Sequence, residues 1–203
     1  MFRNSIAIIL LVVSHAFPLY GLLYLGWSPY ATVLLFNIET LIITFFFAVD
    51  MLMRLGTDEW GKALGSLVVV VPSILFFNAV HFVLSTVMFG AIGNSLTWTT
   101  LQSLFALNMM TVIPGLIIMF VNQTYEFFDR IQRQEYKNKI PRSGPRQMGV
   151  IHTRILFMQF TIIFGGFLAK ASGHVAWGVS LIIILQFVYS FIMFRKQTQL
   201  QKI

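Results

Sequence analysis

"YATVLLFNIETLIITFFFAVDMLM", residues Tyr30 to Met53, is apolar at most of its positions and carries one carboxylic acid, Glu39, before Asp50. At 1.5 Å per residue a helix of this length crosses the roughly 30 Å hydrocarbon core of a bilayer. A soluble domain has no use for so long a mostly apolar run, so this stretch sets the fold class: a polytopic transmembrane bundle, all-α.

The rest of the chain agrees. Of 203 residues, 57% are hydrophobic and 10% charged, with 21 Phe, and the mean hydropathy is +0.80, well outside the soluble globular range. Six spans can be drawn: Asn4 to Leu25, Tyr30 to Met53, Gly65 to Phe89, Thr99 to Val121, Met148 to Lys170 and His174 to Phe194. Together they make residues 1–203 one transmembrane domain. The fourth span is expected to continue as a solvated helix into a basic segment at about 122–147. There Glu126 and Arg130, Asp129 and Arg133, and Glu135 and Lys139 stand four apart, a spacing that stabilises a helix by roughly 0.2–0.5 kcal/mol per pair. Pro141, Gly144 and Pro145 are then expected to break it.

Charge adds an orientation and excludes some partners. The net charge of +7 sits mainly beside apolar spans, where anionic lipid, contacted for instance by Arg142 and Arg146, is a better partner than nucleic acid. In the six-span drawing nearly every Lys and Arg falls on one side, with Lys170 on the other. Lys and Arg are retained in the cytoplasm during insertion, so both termini are expected there, in an inner membrane. Ser14, His15 and Ala16 have the small-x-small form of a signal cleavage site, but the apolar run continues to Leu25, which suits a span. With no cysteine, disulfides, thiolate metal sites and cysteine nucleophiles are excluded.

Polar residues inside the spans are the candidate site. Glu39 lies roughly 13 Å from the outer end of its span at 1.5 Å per residue, and His15, His81 and Asn108 stand at similar depth. An ionised carboxylate there costs several kcal/mol unless paired, so Glu39 should be protonated, hydrogen-bonded or beside a wet cavity. One reading makes it a proton-exchanging acid or ion ligand with the histidines as relay partners. The other makes all of them interhelical glue, worth about 0.6 kcal/mol each. The residues share no local metal-ligand spacing, so no metal site is assigned, and the sequence does not identify a cofactor. Asn78, His81 and Ser85 share one helix face, as do Asn108, Thr111 and Gly115, and as do Asn37, Thr40 and Thr44. Glu39 is roughly 130° from the centre of that last stripe, which speaks against a single polar cavity.

Other features read as structural. Pro18, Pro72 and Pro114 lie inside spans and shape them. Gly165, Ala169 and Gly173 recur every four residues, a small-residue ridge that permits close helix packing, within the fold or against a partner chain. Asp50 and Arg54 read as a surface pair. Trp27, Trp60, Trp98 and Trp177 fall near span ends, as interfacial anchors do.

The motifs "FPLYGLLYLGW", then Glu39, then "FFNAVHFV", then "RILFMQFTIIFGGFL" together resemble a bacterial family of six-helix membrane proteins classed as a domain of unknown function. The matching positions are Pro18, Gly21, Trp27, Glu39, His81, Arg154 and Gly165-Gly166. Asn37 stands where the family pattern has Trp, and Gln159, Gln186 and Ser190 stand where it has more strongly polar groups. The resemblance implies the fold and draws attention to Glu39 and His81, but implies no activity. Three functions follow in order: an accessory or scaffold subunit that binds other membrane proteins, a small proton- or ion-coupled transporter using Glu39, and an intramembrane enzyme with a Glu/His site. An enzyme is the less favoured outcome.

Overall fold

The structure, a computed structural model, describes residues 2–55, 60–90, 98–132 and 144–200, and these residues form six helices without a strand. They are α1 (Phe2–Tyr24), α2 (Pro29–Arg54), α3 (residues 60–90), α4 (Trp98–Gln132), α5 (Gly144–Ser172) and α6 (Val175–Leu200). Each predicted span falls on one helix, with only the end residues Leu25 and His174 outside. Four described stretches are long and apolar enough to cross a membrane, Ser5–Tyr24, Pro29–Arg54, Trp60–Phe89 and Val175–Arg195, and α5 adds the apolar Leu156–Ser172. The chain is a multi-pass, all-α membrane protein.

The tight connections follow from local chemistry. After α1 the chain reverses at Gly26, whose φ of +68° suits a residue without Cβ. The Leu25 and Trp27 amides both donate to Gly21 O, at 3.2 and 3.0 Å. Ser28 then caps α2 by accepting from Ala31 N, and Pro29 fills the first turn, where its missing N–H costs nothing. A second positive φ, +71° at Gly173, turns α5 into α6.

Helix α3 is one rod with two wider turns. Trp60–Gly65 is α-helical, Ser66–Val70 is a π-helical turn, Val71–Ser85 is α-helical, and Thr86–Gly90 is π-helical again. The first π turn ends two residues before Pro72, whose ring would crowd the carbonyl four residues earlier in a regular helix, and the extra residue in the turn relieves that clash.

The bundle is organised around α2. Of its most apolar window 61% is buried, against 22 to 33% for the other three spans. Neighbours pack in the order α4, α1, α6, α5, α3, and this arc wraps α2 with α3 and α4 as its ends. The arc is open on one side, where Leu41, Phe45 and Leu52 of α2 are exposed. One large apolar core joins α1, α2, α4, α5 and α6 through Leu22, Leu34, Phe36, Met119, Ile162 and Ile183, and a smaller one joins Phe47 and Met51 to Val70 and Ile74.

The closest helix approach is between α5 and α6. A Cβ on Gly165 would lie 2.7 Å from Ile182 Cδ1 and 2.9 Å from Gly178 O, and one on Gly178 would lie 3.0 Å from Ala169 Cβ. Gly165 and Ala169 therefore pack inside the chain. Gly173 takes another part, since it is the turn residue with open space around it.

Two sequence expectations need correction. Trp27 is not a lipid-facing anchor. It is buried, because the Gly26 reversal lays its indole on Gly21 and edge-on to Phe17, with ring centroids 5.4 Å apart. Trp60 and Trp177 are exposed, and the Trp98 side chain lies outside the described residues. The Asp50–Arg54 pair exists, with Arg54 Nε 3.5 Å from Asp50 Oδ2, but it is not on the surface: the side chains are 3% and 7% exposed. The first residues of α3 pack over this end of α2 and cover it. Helix α4 does extend past Val121, to Gln132, and Pro145 already lies in the first turn of α5. Arg130, Arg133, Glu135, Lys139, Arg142 and Arg146, with the ion pairs expected of the first four, have side chains outside the described residues.

Candidate functional site

Buried polar groups surround α2 on three sides. On the side facing α3, Asn37 Nδ2 donates to Ser85 Oγ at 3.2 Å, and Ser85 Oγ donates in turn to His81 O at 2.7 Å. Thr86 Oγ1 donates to Phe82 O at 2.8 Å, so at the 3.2 Å contact with Tyr30 it is the phenol that donates. Thr40 Oγ1 reaches Phe36 O at 3.1 Å and Met158 Sδ of α5 at 3.8 Å, and Thr44 Oγ1 donates to Thr40 O at 2.7 Å. His81 Nδ1 lies 2.7 Å from Phe77 O. A carbonyl only accepts, so this nitrogen carries the proton.

Asn78, His81 and Ser85 are all buried, on the α3 face that also holds Ile74. Since Ser85 meets Asn37, and Ile74 meets Phe47 and Met51, that face packs on the stripe Asn37, Thr40, Thr44. Two of the faces read from the sequence thus pack on each other.

His15 lies on another side, between α1 and α6. Its ring sits 6.2 Å from that of Phe36 and 5.8 Å from that of Phe187. Nδ1 is 3.0 Å from Leu11 O and 3.1 Å from Ser14 Oγ, while Nε2 is 3.5 Å from Ser190 Oγ. With Nδ1 donating to the carbonyl, neutral His15 leaves its Nε2 lone pair for the Ser190 hydroxyl.

Glu39 lies on a third side. It is 1% exposed and falls between Leu35, one turn before it, and Phe46, two turns after it, within about 40° of both at 100° per residue. Both of those residues face α4. A Cβ on Gly115 would lie 2.7 Å from Leu35 Cδ2, and the Phe46 ring is 5.6 Å from Phe120 and 5.3 Å from Phe127. These contacts also show that α2 and α4 run parallel. Asn108 stands seven residues before Gly115 and Glu39 four after Leu35, which separates them by about 16 Å along the axis at 1.5 Å per residue. Asn108 therefore lies toward the α1–α2 turn, and its side chain lies outside the described residues.

The set Glu39, His81, His15, Asn78 and Asn108 is thus divided: Asn78 and His81 share one seam, His15 occupies another, and Glu39 a third. Among the described residues no three His, Asp or Glu converge on a metal-sized site. Two buried amides matter more than the sequence suggested. Gln186, at 0% exposure, has no hydrogen-bond partner for either Oε1 or Nε2, and Asn122, at 3%, has none for Oδ1. Gln186 had a legible signal, a polar amide on the α6 face that carries Val179, Ile182 and Ile183. Asn122 stood just past the predicted end of its span and was read as solvated.

The model of a family of unknown function, DUF6498, matches residues 2–202. The chain belongs to this family. The match covers all six helices, so the family's unit is the whole bundle. No curated protein and no solved structure matches the chain.

Proposed function

We propose that the protein is a non-catalytic scaffold or accessory subunit of a larger membrane assembly. The supporting observation is how its buried polar side chains are used. Ser14, His15, Asn37, Thr40, Thr44, His81, Ser85 and Thr86 each hydrogen-bond a backbone carbonyl about one turn earlier. Asn37, Tyr30 and His15 add contacts to a neighbouring helix. Such groups knit helices together and leave few donors or acceptors for a substrate. In this reading the protein lies in a bacterial inner membrane with its termini and basic 122–147 segment in the cytoplasm, and Arg142 and Arg146 contact anionic headgroups.

Purification from native membranes in mild detergent tests it. Recovery of the chain in a stable assembly with other membrane subunits is expected, and a chain that runs alone refutes it.

One observation favours a second reading, a small proton- or ion-coupled transporter: an acid buried in the middle of the central helix is expensive glue. In that case Glu39→Gln abolishes flux in proteoliposomes, whereas a scaffold keeps assembling. The Glu/His enzyme has no comparable support, because Glu39, His15 and His81 address different sides of α2.

A further inference from the structure

We infer that Gln186 binds a lipid-borne ligand, the carboxyl head of a free fatty acid taken up from the bilayer through the seam between α1 and α6. Gln186 is 0% exposed, and neither its Oε1 nor its Nε2 has a hydrogen-bond partner among the described residues. Unmet amide atoms in a dry core cost stability and tie no helices together. That sets Gln186 apart from Asn37 and His15, which both bond a carbonyl of their own helix and a neighbouring one.

The amide itself selects the occupant. It offers an acceptor, Oε1, beside a donor, Nε2, and a protonated carboxylic acid offers the matching O–H beside C=O, so one head meets both ends in a ring of two hydrogen bonds. The neutral acid is also the form that hydrocarbon admits. The surroundings supply a way in. Around α6, at about 100° per residue, Ser190 lies about 40° from Gln186, Phe187 about 100° and Ile184 about 160°. That order runs from core to lipid: Gln186 is enclosed, Ser190 and Phe187 are half-buried, and Ile184 is 48% exposed. On the α1 side stands His15, 5.8 Å from the Phe187 ring and with Nε2 3.5 Å from Ser190 Oγ. Phe187 stacks on Phe191 at 6.0 Å, and the two rings form an apolar wall for an acyl tail that leads out past Ile184. Phe187 is the side chain that turns aside to admit the head. The site depends on neither the scaffold nor the transporter reading.

Two photoreactive probes test it on the full chain in lipid nanodiscs: palmitic acid with a diazirine next to its carboxyl, and hexadecanol with the same group next to its hydroxyl. After photolysis, mass spectrometry should place acid adducts on α6 around Gln186 and on α1 around His15. Unlabelled palmitate should compete them away, and the alcohol should leave both stretches unmarked. Gln186→Leu should lower the acid adducts about tenfold, the factor that about 1.4 kcal/mol of lost hydrogen bonding gives. In SDS unfolding without added acid, Gln186→Leu should be at least as stable as the unmodified chain, because it removes two unmet polar atoms. Added palmitate should then stabilise the unmodified chain and not the variant. Equal labelling by acid and alcohol overturns the proposal, and that comparison needs no variant to fold. Adducts undiminished in Gln186→Leu, or a variant less stable than the unmodified chain, overturn it as well. Loss of partners or of flux bears on the proposed function and leaves these results untouched.

Discussion

Replacing Gly178 by Ala puts a methyl group against the Gly165 backbone and the Ala169 methyl. The new Cβ would overlap Gly165 O and stand 3.0 Å from Ala169 Cβ and 3.1 Å from Gly165 C. None of these atoms can rotate away, so α5 and α6 must separate. Overpacking of this kind costs about 1–3 kcal/mol, and the upper end applies when backbone rather than a flexible side chain is struck. Ala gains up to about 1 kcal/mol over Gly in helix propensity, which leaves a net loss of about 2 kcal/mol. Gly65 provides the opposite sign within the same protein. It is helical, and a Cβ there meets nothing within 4 Å, so Gly65→Ala should gain about 0.5–1 kcal/mol. Unfolding of both variants in mixed micelles of increasing SDS, followed by circular dichroism, measures the difference. A Gly178→Ala protein as stable as Gly65→Ala would refute the close helix approach.

Gly21→Ala should displace the Trp27 indole and destabilise by about 1–3 kcal/mol, and combining it with Trp27→Ala should give less than the sum, read by the same titration. Asp50→Asn leaves Arg54 in a buried site without its carboxylate partner and should cost about 3–5 kcal/mol, most of it recovered in the double variant Asp50→Asn/Arg54→Met. Ser190→Ala removes a long contact to His15 and should cost no more than about 0.6 kcal/mol in thermal unfolding. Glu39→Gln is nearly isosteric, so in the scaffold reading it should leave both stability and co-purifying subunits unchanged.

The helices were legible because the cost of placing polar backbone in hydrocarbon acts on every residue of a span alike. The polar faces Asn37, Thr40, Thr44 and Asn78, His81, Ser85 were legible because residues three, four and seven apart share a side of a helix. That Asn37 meets Ser85, or that Asn108 stands about two turns short of Leu35, was not legible. Register between helices is fixed by side-chain fit, such as Leu35 on Gly115, and no local pattern encodes it. Trp27 was misread because its place depends on the reversal at Gly26, and Asp50–Arg54 because the residues that cover the pair come from the start of α3.

The central position of α2 has a consequence for biosynthesis. The ribosome delivers helices in order, so the Glu39-bearing segment enters the translocon before α4, α5 and α6 exist to enclose it. Its carboxyl must wait in the bilayer or the insertion machinery until the last helix arrives. Chains truncated before α6 should therefore be preferred substrates for membrane quality-control proteases.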